Sequence, residues 1–326
     1  MIGIGARTVD ATVEVLDLPT PRQPKSGELL LETITAGIGP WDALLHITNG
    51  WDVQLKPPAA LGVEGVGRVI AIGPDTETFT LGDVVVVHDT PLPGGSGFWA
   101  EQVLVHASSA AVLPSGLSPE TAAALPVAAL TASQSLKELR VGAGTRLLVV
   151  GSGPNAVMAI RLGVLGGAEV VAAASPRHSD RLRRLGAVDI IDSHAENWAQ
   201  TTDRRFDAVL IAAAGTAEEA MKLIDDGGRL TSLTSDAPES MRGITTNNLY
   251  IVPDGADLER LAKLAAAGEL SLDVTTVTAE QAPATEAVVS SGRSRGVKYV
   301  IDFGTQAGPT GTAETHRIPR AGRIAW

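Results

Sequence analysis

RLLVVGSGPNAVMAIRLGVLGGAEVVAAAS, residues 146–175, reads as a strand, a glycine turn, a helix and a second strand. Arg146 to Val150 is a short apolar run that ends in Gly151-Ser152-Gly153. Pro154 then opens a helix, at a position where its missing N–H costs nothing. The pattern is G-x-G-x-x-A on Gly151, Gly153 and Ala156. Gly151 permits the tight turn, Gly153 lets the backbone approach a pyrophosphate, and Ala156 is small enough for the helix to pack on its strand. The helix start offers free N–H groups and a positive dipole end to phosphate. Gly151, Ser152, Gly153, Pro154, Asn155 and Ala156 are therefore the expected phosphate-facing residues. The plain alternative is a tight turn that binds nothing.

The second strand of such a unit decides which ribose is held. Sites for a free 2′-hydroxyl place Asp or Glu at its end. Here the chain runs Ala174-Ser175-Pro176-Arg177-His178, with no acid. Ser175 can donate to a 2′-phosphate and Arg177 can pair with it. The expected cofactor is NADP(H). Against this, Arg177 could be a solvated charge, or Asp180 could pair with it. Arg181, Arg183 and Arg184 on the next helix read as surface residues.

Composition sets the outer bounds. The chain has 326 residues and is 44% hydrophobic, enough for one large or two ordinary domains. With 0 cysteines, disulfides, thiol catalysis and cysteine-ligated metals are excluded. A net charge of -11 argues against nonspecific nucleic-acid binding. No apolar run is long and uncharged enough to span a membrane, and no signal-like N-terminus is evident. The expected location is the cytoplasm.

The texture changes along the chain. Residues 1–120 carry short strand-like runs between Gly/Pro turns: Glu28–Thr33, Gly67–Ile72, Asp83–His88 and Glu101–Val105. From residue 121 strands and helices alternate. The strands are Leu147–Val150, Val170–Ala174, Asp189–Ile191, Ala208–Ala212 and Arg229–Leu233. Ser179–Leu185 and Ala217–Ile224 read as helices between them, Ala256–Ala267 as another, and Val297–Phe303 as a final strand. Such alternation implies an α/β fold with a doubly wound parallel sheet. Residues 304–326 read as an extra tail, mobile or docked on a partner subunit.

Several further stretches resemble a known family: GELLLETITAGIGPWD (27–42), LGVEGVGRVIAIG (61–73), GDVVVV (82–87), GFWAEQVLV (97–105), ALPVAALTASQSL (124–136), FDAVLIAAAG (206–215) and SSGRSRGVKYVIDF (290–303). Their collinear order is similar to medium-chain dehydrogenase/reductases of the zinc-independent quinone oxidoreductase branch. The resemblance implies a GroES-like irregular β domain (1–120, completed by about 268–303), a Rossmann domain (121–267), and a cleft between them. It also implies a homodimer.

Departures from the zinc-dependent members are specific. Their Gly-His-Glu stretch is Gly62-Val63-Glu64 here, and a further ligand position falls near Val127. The cysteine-rich lobe is missing between His88 and Trp99. His46, His88 and His106 show no zinc spacing and read as surface or hydrogen-bonded residues. Without a Lewis acid, alcohol oxidation by the zinc route is disfavoured. The resemblance then implies hydride transfer to a quinone or an α,β-unsaturated carbonyl, a small planar or hydrophobic substrate.

By resemblance, Thr131, Gly215, Ser232 and Thr234 lie near the nicotinamide. Trp41 and Asp42 occupy the family's Asn-Pro-x-Asp region, with Gly39 replacing the Asn. The candidate catalytic residues are Asp42, Trp51 and His46, with Trp41, Asp42 and Trp51 as substrate-pocket residues. An anchoring role for Asp42 is a competing reading, as is a core-packing role for Trp51. Trp51 has an N–H but no proton to give up at neutral pH. His46 and Asp42 would share a helix face. Tyr250 and Tyr299 lie late in the chain, so no general acid is named. Glu64 is expected to support the fold, and Asp83 a turn. The alternatives are a family-fold protein without redox turnover, cyclase-like or binding, and a zinc-free carbonyl reductase.

Overall fold

The computed structural model describes residues 1–8, 11–42, 56–294 and 296–304. The stretch quoted first does form strand, turn, helix and strand: Arg146–Val150, the glycine turn, Pro154–Leu165 and Glu169–Ala174. These strands sit in a six-stranded sheet. Its spatial order is Asp189–Asp192, Glu169–Ala174, Arg146–Val150, Phe206–Ile211, Ile224–Ser232 and Thr245–Asn248. All its pairs are parallel. The strand order reverses between Arg146–Val150 and Phe206–Ile211, so a crevice opens beyond their carboxyl ends.

Strand alternation shows why both faces need cover. Leu147 and Val149 pack beneath helices Pro126–Glu138, Pro154–Leu165 and Gly255–Ala266, beside Leu136, Ala159 and Leu261. Leu148 and Val150 point the other way, into a cluster with Trp198, Ala220 and Met221. All four strand residues are buried, as expected of a parallel sheet covered on both faces.

The helix expected over Ala217–Ile224 stops at Met221, and Ile224 begins a strand that runs to Ser232. Arg242 ends the helix by donating to the carbonyls of Met221 (2.9 Å) and Ile224 (3.0 Å). Phe206 N–H takes the carbonyl of Leu223 at 2.9 Å, which draws the segment into the sheet.

Of the remaining strands, Ile2–Ala6, Glu14–Asp17 and Ala59–Ala60 form a small antiparallel sheet, and the others build a larger, mostly antiparallel one. Its centre is Glu28–Ile38, paired with Glu64–Ile72, Gln102–His106 and Lys298–Asp302. Lys298–Asp302 pairs in turn, in parallel, with Val274–Val277. The chain therefore returns to its first sheet near residue 300. This return brings Lys298 against Glu64, which is 234 residues away in sequence.

Candidate functional site

A cleft of about 580 Å³ lies where the two sheets meet. One wall carries Ile38, Gly39, Pro40 and Trp41. The opposite wall carries Gly153, Pro154, Asn155 and Ala156 from the glycine turn, with Ala212 and Thr234 from later strand ends. A third side comes from Val289, Ser294, Val297 and Lys298.

The glycine turn has the shape a phosphate needs. Gly151 sits at φ +131°, and a Cβ there would lie 3.3 Å from the Ala212 backbone. Gly153 caps the helix with no side-chain hydrogen bond. A Cβ on Gly153 would meet nothing within 4 Å among the described residues. Open space thus faces an uncapped helix start, the arrangement that takes an anion. These features fit the pyrophosphate of a dinucleotide.

At the end of the second strand, Ser175 is half-buried and Arg177 is exposed. Arg177 does not pair with Asp180; its Nε donates instead to His178 Nε2 at 3.0 Å. Among the described residues Arg177 has no carboxylate partner. Arg181, read above as a surface residue, is instead half-buried and bonded to Asp273 at 3.1 Å. A Cβ on Gly296 would lie 2.8 Å from Arg181 and 3.3 Å from the Ser152 carbonyl. Gly296 therefore sits over the glycine turn.

Beneath the cleft lies a buried charged cluster. Glu64 accepts from Val127 N–H at 2.8 Å and pairs with the Lys298 ammonium. Lys298 also donates to the Ile38 carbonyl at 3.0 Å. An ammonium has three N–H groups, so this arrangement leaves donor capacity at a residue that lines the cleft. Lys298 is the only cation lining the cleft among the described residues. Asp42 is fully buried and closes the Gly39–Asp42 turn by accepting from Gly39 N–H at 2.8 Å. Its other carboxyl oxygen has no partner among the described residues. Burial pushes Asp42 up to about 7, and Glu64 and Glu286 add to the rise, while the Gly39 bond and Lys298 oppose it.

The loop after the fifth strand is organised by an acid. Asp236 accepts from Ser232 (2.5 Å) and Thr234 (2.7 Å) through one oxygen, and from Gly215 N–H (2.8 Å) through the other. Burial pushes its carboxyl up, but these three bonds outweigh it and hold the group below the usual range.

The expected site residues separate on this geometry. Gly153, Pro154, Asn155, Ala156, Thr234 and Trp41 line the cleft. Gly151 and Ser152 form the turn behind it. Gly215 and Ser232 do not line the cleft; they are held behind Thr234 by Asp236. Thr131 is buried within its helix, its hydroxyl without a partner among the described residues. Asp42 also stays off the cleft wall, so its expected place as a pocket residue is corrected: its carboxylate faces inward and holds the turn. His46 and Trp51 lie outside the described residues. His88 is buried, with Nδ1 at 3.0 Å from the Val63 carbonyl. Asp83 binds Thr80 N–H at 2.8 Å, as a turn residue should.

Sequence reading missed Asp236, Glu286 and the wall formed by Val289, Ser294, Val297 and Lys298. A buried lysine so far from its partner in sequence leaves no local pattern. The GVKYVIDF stretch was visible only as part of the resemblance.

Comparison with known proteins supplies the family context. A family model described as "Alcohol dehydrogenase GroES-like domain" matches residues 25–115, and one described as "Zinc-binding dehydrogenase" matches residues 185–301. The quinone-oxidoreductase homolog of Spinacia oleracea is 31% identical over 254 residues, 71% of this chain and 74% of that protein. The NADPH-dependent alkenal/one oxidoreductase of Arabidopsis thaliana is 30% identical over 232 residues, 69% of this chain but only 60% of that protein. The quinone oxidoreductase structure from Coxiella burnetii superimposes with a TM-score of 0.82 at 23% identity, covering 93% of this chain and 99% of that one. At that identity the likeness concerns the fold.

Proposed function

The chain belongs to the medium-chain dehydrogenase/reductase superfamily, and from this premise we propose that it is a zinc-independent, NADPH-dependent oxidoreductase acting on a quinone or an α,β-unsaturated carbonyl. The observation that carries the reading is the cleft itself. It joins an uncapped, glycine-lined helix start to an apolar wall of Ile38, Trp41, Val127, Leu233 and Val289.

The residues divide the work. Gly151 and Gly153 admit the pyrophosphate, and the helix start at Pro154–Ala156 binds it. Ser175 and Arg177 hold the 2′-phosphate. Thr234, fixed by Asp236, and the Trp41 ring position the reacting ring and the substrate. A bound nicotinamide supplies a hydride. Lys298 places positive charge on the wall of the cleft, where charge developing on a substrate carbonyl would be stabilised. Catalysis then rests chiefly on positioning in a water-poor cleft.

Zinc independence is supported by the residues themselves. Val63 offers no ligand, and Glu64 is committed to Val127 and Lys298. In this reading residues 1–120 with 268–303 carry the substrate and residues 121–267 the cofactor, a division supported by the separation of parallel and antiparallel sheets. The working form is a cytoplasmic homodimer. The exposed edge strand Thr245–Asn248, with Met241, Tyr250 and Val252 exposed nearby, supports pairing of two copies.

Turnover tests the reading. The expected result is steady NADPH oxidation with a simple enone or a benzoquinone and none with the matching saturated ketone. Reduction of the ketone alone would replace it with a carbonyl reductase. Absence of turnover with every acceptor, despite cofactor binding, would replace it with a non-redox protein.

A further inference from the structure

In a chain of net charge -11, positive groups gather at the end of the second strand of the parallel sheet. Arg177, His178 and Arg181 follow that strand, and His194 follows the next one. Among the described residues two carboxylates are bonded there: Asp273 pairs with Arg181, and Asp192 accepts from His194 N–H at 3.0 Å. Arg177 spends its Nε on a histidine, although Asp180 lies three residues away in sequence.

That contact fixes a protonation state. His178 Nε2 can accept from a guanidinium only when it carries no proton. Burial lowers the basicity of His178 further, and Arg177, Arg181 and His194 add repulsion against a charge on its ring. A dianion entering this cluster reverses each of these effects. It draws the Arg177 fork to itself, frees Nε2, and turns the repulsive setting into an attractive one.

We propose that His178 is a proton-coupled part of the 2′-phosphate site: it is neutral while Arg177 donates to it, and takes up a proton when a phosphate group captures Arg177. The inference rests on the NADPH reading of the same site. It assigns this chain a means of favouring the phosphorylated cofactor that strengthens as pH falls. It also places His178, which no local motif marks, among the residues that set cofactor choice.

Titration calorimetry of NADPH into the full-length protein tests this, run near pH 7.5 in two buffers of different ionisation enthalpy. A phosphate monoester has its second pKa at about 6, so at this pH the ligand can only release protons. Net uptake therefore belongs to the protein. The expected result is net proton uptake on NADPH binding. NADH should bind with none, and His178→Gln should bind NADPH without uptake. Persistent uptake in His178→Gln that vanishes in His194→Gln would overturn the assignment. NADPH binding tighter than NADH with no proton uptake would overturn the inference and leave the cofactor reading standing. Equal affinity for NADPH and NADH would remove the cofactor reading, and this inference with it.

Discussion

The carboxyl of Asp42 lies inside the protein with one oxygen on Gly39 N–H and the other without a partner among the described residues. Burial raises it from 3.8 to about 7. The folded group therefore holds its proton more tightly than the unfolded one. Its contribution to stability falls as pH rises from the ordinary aspartate range to about 7 and is level beyond that. Asp42→Asn removes this loss. Its Tm should exceed that of the native protein at about pH 8 and lose most of that advantage at about pH 4. Thermal melts across the range check this, and a constant offset would show that Asp42 is charged throughout. The buried Glu64–Lys298 pair makes a different prediction. Lys298→Met strands a buried carboxylate and should cost about 3–5 kcal/mol in urea unfolding. Adding Glu64→Gln to Lys298→Met should recover part of that loss. A single-variant cost below about 1 kcal/mol would mean that the pair is solvated.

At the scale of elements, the glycine turn was legible because its chemistry is local. One strand, two glycines, a proline and a small residue lie within a dozen positions, and each has a backbone reason. Gly153→Val should cost no more than about 1 kcal/mol, since its Cβ meets nothing among the described residues. The same substitution should abolish NADPH binding, because that Cβ stands in the phosphate space. Retained binding would locate the cofactor elsewhere. The Gly39–Asp42 turn was legible only in part. Sequence showed that Gly39 lacks a polar side chain, but not what replaces it. A Cβ at Gly39 would lie 2.8 Å from the Trp41 indole, so the tryptophan ring takes the room that a side chain at 39 would use. The helix boundary at Met221 was also hidden, because the groups that end it come from Arg242, twenty-one residues beyond Met221. Asp236 was missed for a related reason: Ser232 and Thr234 are near it in sequence, but Gly215 comes from another loop that only the sheet order brings close.

At the scale of the molecule, the alternation of strands and helices after residue 121 gave the doubly wound sheet, since period and turn signals survive in a single sequence. The return of the chain to its first sheet through Val274–Val277 and Lys298–Asp302 was anticipated from the family resemblance. The charged cluster that this return buries was not, because its members are scattered from Glu64 to Lys298. The exposed edge at Thr245–Asn248 leads to a further expectation. Size-exclusion chromatography with light scattering should report twice the 33.6 kDa chain mass. A purely monomeric protein would show that this edge stays unpaired.

The cofactor is the point on which the whole account turns, and nicotinamide fluorescence tests it most directly. Purified protein titrated with NADPH and with NADH should bind NADPH more tightly by about tenfold or more, a difference of about 1.4 kcal/mol. Arg177→Glu should abolish that preference. Equal binding of the two, or binding of neither, would contradict the account.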